Sequence, residues 1–276
     1  MKKSDSASSA IPALRLGIVP YLNVQPLVYG LAEAHPELHL IAAPPRELDR
    51  MLSRGEIDLG TAPTFCAFTE EGRGILHAPA IASDGPVYSV VIAAREPIES
   101  LRRIYRDPHS VTSNALAAIL VQRCWGGRIE LADLPSGAAP GAEDLPPGAG
   151  RVIIGDAAIR EQRRGRLRIV DLGQAWREWT GLPFVFAAWI GRVGLKTGAL
   201  AQALKEIQKK NRRRLEEVAE SYGGLPEMPA AERVRYFKEN LTHHFGRRER
   251  QGIERFHAEA VELGLAPAGR PIRWLE

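Results

Sequence analysis

Leu14-Arg15-Leu16-Gly17-Ile18-Val19-Pro20-Tyr21-Leu22-Asn23-Val24-Gln25-Pro26-Leu27 is the stretch on which the reading of the whole chain turns. Residues 14–19 alternate apolar with other side chains, which predicts a strand. Pro20 ends it. A helix is predicted over residues 24–34, with Pro26 in its first turn, where a missing N–H costs nothing. The same rhythm continues outward. Residues 39–43 read as a second strand, and residues 45–53 as a helix with Leu48, Met51 and Leu52 on one side and Gly55 as its stop. A short strand over 57–60 then leads into another helix at Pro63. Such β-α-β-α-β order predicts an α/β lobe with a mostly parallel sheet flanked by helices.

Residues 88–94 form a β-branched run that carries the chain out of this lobe. A second unit follows, with helices at 98–103, 114–125 and 156–163, a short strand near Ser110, and strands at 151–154, 167–172 and 184–187. The Pro-, Gly- and Ala-rich residues 134–150 read as a surface loop. Residues 199–222, 230–245 and 248–263 carry apolar positions at helical spacing, with Gly223, Gly246 and Gly264 as stops. The expected organisation is a lead-in over 1–13, a first lobe of 14–92 with 191–276, and a second lobe of 93–190.

Composition narrows the function classes. The 276 residues are 45% hydrophobic and 25% charged, as in a soluble globular protein. The formal charge of +4 suits an anionic ligand. The densest basic run, residues 209–214, is followed at once by Glu216 and Glu217, so it reads as a solvated helix face and no nucleic-acid partner is expected. Cys66 and Cys124 are isolated among apolar neighbours, without CxxC spacing, and are expected to be buried thiols. No apolar segment follows Lys2 and Lys3 and no long apolar run exists, so a cytoplasmic protein without membrane contact is expected. The GxGxxG, GxxxxGK[ST], HExxH and GxSxG patterns are absent. His243-His244 and His257 lack metal-ligand spacing, and neither metal nor cofactor is expected.

Ligands of open parallel sheets bind beyond the carboxyl ends of the strands, so the segments after each strand hold the candidates. Asn23, beside Tyr21, stands where a helix begins, either as its cap or as a ligand group. Thr61 and Thr64 offer hydroxyls after the third strand, and Ser89 alternates inward if Tyr88 packs outward. Ser110, Thr112, Ser113 and Asn114 precede a helix that needs one of them as a cap. The others are surplus, which points to an anion at that helix start. Gly155 and Asp156 repeat the arrangement, with Asp156 either capping or receiving a hydroxyl.

Residues 16–23 with Pro26-Leu27, residues 55–60, 110–113, 154–158 and 171–173, and the stretch 176–189 follow one another in an order that resembles the MqnA family, the chorismate dehydratases of the futalosine route to menaquinone. The resemblance runs from about Leu14 to about Leu263. It implies a two-lobed, type II periplasmic-binding-protein-like fold of mixed, mostly parallel sheets. It also implies a cofactor-free lyase that converts chorismate to 3-[(1-carboxyvinyl)oxy]benzoate. In its terms Asn23 and Ser89, with Ser83 as the alternative serine, are the active-site polar residues, and Thr112-Ser113 a carboxylate cradle. Two other readings stay open: a 1,4-dihydroxy-6-naphthoate synthase (MqnD), expected to carry a histidine base that no motif here supplies, and a catalytically silent solute-binding protein.

Overall fold

The computed structural model describes residues 11–134 and 144–275. The chain begins with β1 (Leu14–Ile18), α1 (Gln25–Val28), α2 (Leu31–Ala34), β2 (Leu38–Ala42), α3 (Pro45–Arg54), β3 (Leu59–Pro63), α4 (Cys66–Thr69), β4 (Arg73–Leu76) and β5 (Ile81–Ser83). It continues with β6 (Val90–Ala94), β7 (Arg103–Tyr105), α5 (Thr112–Cys124), β8 (Glu130–Ala132), β9 (Ala149–Ile154), α6 (Gly155–Arg164), β10 (Arg168–Asp171) and α7 (Leu172–Thr180). Then come β11 (Phe184–Arg192), α8 (Gly198–Asn211), α9 (Leu215–Ser221), α10 (Ala230–Glu239), α11 (Arg247–Glu262) and β12 (Trp274–Leu275). The helix expected over 24–34 is broken in two because Gly30 takes a left-handed conformation, φ 73°. Part of the expected loop at 134–150 lies outside the described residues, as does most of the lead-in, and Ala149 already belongs to β9.

Two sheets result. The first runs β2-β1-β3-β11-β4-β12, with β5 also paired to β11; the second runs β8-β7-β9-β6-β10. β1 is parallel to both β2 and β3, and β7 is parallel to both β8 and β9. The strands that follow the two crossings between sheets, β6 and β11, run antiparallel to their neighbours. The sheets are therefore mixed, and parallel only away from the crossovers. The expected lobe boundaries move accordingly. Val90–Ala94 lies in the second sheet, while Phe184–Arg192, expected at the end of the second lobe, lies in the middle of the first. β11 is an almost wholly buried apolar run that fits either sheet, so its sequence carries no mark of which partner it takes.

Apolar burial holds the lobes together. Trp176, fully buried, packs edge-on against Trp179, Phe184 and Phe256, joining α7, β11 and α11. Its indole N–H donates to the Pro183 carbonyl at 3.3 Å, so Trp176 is a core anchor, and Trp189 is likewise fully enclosed. Cys66 is buried, and burial pushes its thiol pKa well up. Cys124, expected to be buried too, is exposed at the end of α5. The basic run is solvated as expected, with Arg214 paired to Glu217 at 3.1 Å and stacked on Tyr29. Among the described residues no helix is long and apolar enough to cross a membrane.

Candidate active site

Between the two sheets lies a cleft lined by the ends of β1, β3 and β9, by the starts of β5 and β6, by β11, and by the starts of α3, α5 and α6. Tyr21, Asn23, Ser110, Thr112, Ser113 and Gly155, all expected at a site, line it together. Its other walls are apolar, among them Val19, Ile81, Ile154 and Phe186, and among the described residues no charged side chain lines it. The lobes leave a cavity of about 40 Å³, room for a water molecule or so.

Asn23 is the polar centre of this cleft. The residue is 8% exposed and its Oδ1 has no hydrogen-bond partner, an arrangement that costs roughly 1–3 kcal/mol unless a ligand supplies the missing donor. The backbone around it is held from three directions. Leu22 N–H donates to Asp156 Oδ1 at 3.0 Å, the single Tyr222 O–H proton is shared between Asp156 Oδ2 and the Pro20 carbonyl, 3.1 Å away, and His243 Nε2 lies 2.9 Å from the Asn23 carbonyl oxygen. Asn23 therefore caps no helix: its side chain makes no cap bond, and the residue lines the cleft while its backbone is fixed by these contacts.

The polar residues at the α5 start are more engaged with the protein than the expected single cap with surplus neighbours. Ser110 Oγ accepts from Ser113 N–H, in the first turn of α5, at 3.1 Å. Thr112 Oγ1 accepts from Phe65 N–H at 3.1 Å, a bond that joins the two lobes. Gly155 has φ 61°, and a Cβ there would stand 2.9 Å from the Tyr21 ring, so only glycine lets the ring lie across the α6 start. Burial first, then the charges of Asp107 and Asp156, push the Tyr21 pKa up to about 12, so its hydroxyl stays a donor.

Five expected residues stand elsewhere. Thr61 ties β3 to the end of β1, its Oγ1 accepting from Val19 N–H at 3.0 Å. Asn114 is occupied by its own loop, accepting from Asp107 N–H at 3.0 Å and donating to the Asp107 carbonyl at 2.8 Å. Asp156 is consumed by protein partners, Leu22 N–H on one oxygen and the Tyr222 hydroxyl on the other. It locks α6 of one lobe to the Asn23 loop of the other. Burial raises its pKa, against the two hydrogen bonds. Ser89 is fully enclosed, with Oγ 2.8 Å from Tyr236 Oη, and Ser83 Oγ donates to the Gly85 carbonyl at 3.0 Å; neither lines the cleft.

Sequence reasoning missed Tyr222 and His243. Each lies about 200 residues from the loop it holds and carries no motif. His243 is buried, and burial lowers its pKa from 6.5 to about 4, partly offset by the bond to Asn23. Its folded pKa lies below its unfolded one, so the unfolded chain takes up the proton first as pH falls. The stability of the neutral form is present above pH 6.5 and is lost down to about pH 4. At about 1.4 kcal/mol per pH unit, roughly 3 kcal/mol is expected to disappear across that window. Because burial also lowers the pKa values of His77 and His257, chemical denaturation at pH 7 and pH 4 should show a loss in both proteins, larger in the wild type than in His243→Gln by about this amount; equal losses in both would refute the assignment.

The fold and the sequence have known counterparts. A family model described as "Menaquinone biosynthesis" matches residues 14–262. The chain is 31% identical to the chorismate dehydratase of Thermus thermophilus over 277 residues, covering 93% of this chain and 98% of that relative. It is 24% identical to the 1,4-dihydroxy-6-naphthoate synthase of the same organism, over 94% and 98% of the two chains. Its fold is similar to that of the periplasmic aliphatic sulphonate binding protein of Escherichia coli, with a TM-score of 0.66 at 16% identity over 94% of each chain.

Proposed function

Because this chain belongs to the menaquinone-biosynthesis family, we propose that it is a chorismate dehydratase, a carbon–oxygen lyase that removes water from chorismate to give 3-[(1-carboxyvinyl)oxy]benzoate. The observation that carries the reading is the unpartnered, buried Asn23 amide in an interlobe cleft with no charged lining. In this step a ring C–H proton leaves, the ring C–O bond breaks, and its electron pair departs with the hydroxyl as water. Aromatisation drives the elimination, and a carboxylate of the substrate accepts the ring proton and passes it to the departing hydroxyl, which leaves as water. The protein supplies geometry and preorganised donors. Asn23 Nδ2 donates to the departing hydroxyl, while Oδ1 accepts from the substrate. The α5 start, with Thr112 and Ser113, holds a carboxylate.

Small-molecule pockets occupy roughly 300–1,000 Å³. The 40 Å³ cavity is therefore the closed form, and substrate enters by parting the lobes. Closure then excludes water and completes the Leu22–Asp156 and Phe65–Thr112 bonds. No histidine lines the cleft, which favours dehydration over chemistry that uses a histidine base. The reading carries with it a cytoplasmic location, where a biosynthetic lyase meets its substrate.

Purified protein incubated with chorismate is expected to consume its absorbance and yield an aromatic product one water lighter by mass spectrometry. Binding without turnover would mark a receptor instead, and neither binding nor turnover would point to the naphthoate-synthase reading.

A further inference from the structure

We infer that His243 is a positioning residue for the dehydration, holding the Asn23 backbone so that its side-chain amide points into the cleft. The inference rests on Asn23 being the cleft's working amide. Residues 22–24 form one tight turn of 3₁₀ helix, whose carbonyls look three residues ahead for a donor. Three residues after Asn23 stands Pro26, which has no N–H to give. His243 supplies a donor from outside. Its Nε2 lies 2.9 Å from the Asn23 oxygen, and a carbonyl can only accept, so the ring is the tautomer with the proton on Nε2.

The ring is itself held rigidly. The preceding residue, Thr242, exchanges backbone bonds with Ala82 of β5: Ala82 N–H donates to the Thr242 carbonyl at 3.1 Å and Thr242 N–H to the Ala82 carbonyl at 2.8 Å. Burial keeps the imidazole neutral at working pH, so the donor is constant and no proton is exchanged with substrate. His243 sits behind the cleft and does not line it. Its action on the reaction therefore passes through Asn23. Small misplacements of a reacting group cost rate far more than binding.

Steady-state kinetics of variants test this. His243→Leu, which removes the donor, is expected to lower kcat about 10-fold with KM within about 2-fold. His243→Gln, whose amide N–H can reach the same oxygen, is expected to restore kcat to within about 3-fold of wild type. In an Asn23→Ala background, His243→Leu should cause no further loss. Should the leucine variant not fold, His243→Asn, with an amide too short to reach the carbonyl, carries the same comparison against His243→Gln. A folded donor-less variant with wild-type kcat, or equal losses in the donor-less and glutamine variants, would overturn the inference. A fully active Asn23→Ala enzyme would instead remove the reading of the site on which it stands.

Discussion

Replacing Asn23 by alanine is expected to lower kcat with chorismate by about 10²–10³-fold while leaving the protein at least as stable as before. The two halves of that expectation come from one fact. Asn23 Oδ1 is buried without a partner, so the side chain contributes no bond that folding depends on, and deleting it leaves nothing newly unpaired. The loops that place it stay tied through main-chain atoms of Pro20, Leu22 and Asn23, which alanine retains. For the reaction the case is reversed. With no charged side chain lining the cleft, departure of the hydroxyl depends on few polar groups: this amide, the hydroxyls at the α5 start and main-chain N–H groups. Removal of one preorganised donor in such a dry site has a typical cost of two to three orders of magnitude, because no water can replace it. Single-turnover rates separate this from slower product release, and a thermal melt checks the fold. An alanine variant within about 3-fold of the wild-type rate would show that the amide does not act on the reacting atoms.

How much of this was legible in the sequence differs from element to element, for physical reasons. The first strand, turn and helix could be read because alternation, Pro20 and Pro26 act locally, and the site residues gathered there and at residues 110–113 do line one cleft. β4, β5 and β12 escaped, being runs of two to four residues too short to show a period. The helix expected over 98–103 is only a three-residue turn, Ile98–Ser100, and the adjoining residues pair as β7. Ser89 failed for a more specific reason. Its inward direction followed from strand alternation counted back from β6. However, Tyr88 takes φ 63°, which breaks the extended conformation one residue earlier. The serine then turns toward α10 and meets Tyr236. Asp156 was placed correctly after its strand. Its partners, Leu22 and Tyr222, are 134 and 66 residues away, and nothing local announces them.

The same left-handed Tyr88 makes Asp171 the residue whose loss should most damage the frame. Asp171 closes β10 and caps α7, with Oδ1 accepting from Gln174 N–H at 3.0 Å. The same oxygen accepts from Val87 N–H at 3.0 Å, and Oδ2 accepts from Tyr88 N–H at 2.7 Å. One carboxylate therefore holds both a helix start and the first crossing between the sheets. A non-glycine residue in the left-handed region costs about 1–2 kcal/mol, a strain that these bonds keep in place. Beneath the crossing, Gly173 admits no Cβ, which would stand 2.5 Å from Ser83 Oγ and 2.6 Å from the Gly85 carbonyl. Asp171→Ala removes a cap, at about 1 kcal/mol, and strips two crossover amides of their acceptor, at about 1–3 kcal/mol each. Val87 is fully buried but Tyr88 only partly so, and water recovers part of the second loss. The expected net cost is about 3 kcal/mol, a fall in Tm of roughly 6–12 °C by calorimetry. Asp171→Asn, which keeps an acceptor oxygen, should fall between the two. Because the crossing sets how the lobes meet, kcat/KM for chorismate should drop in the alanine variant even well below its Tm. A variant that melts within about 2 °C of wild type would show that the crossing is held by the sheets alone, with Asp171 a bystander.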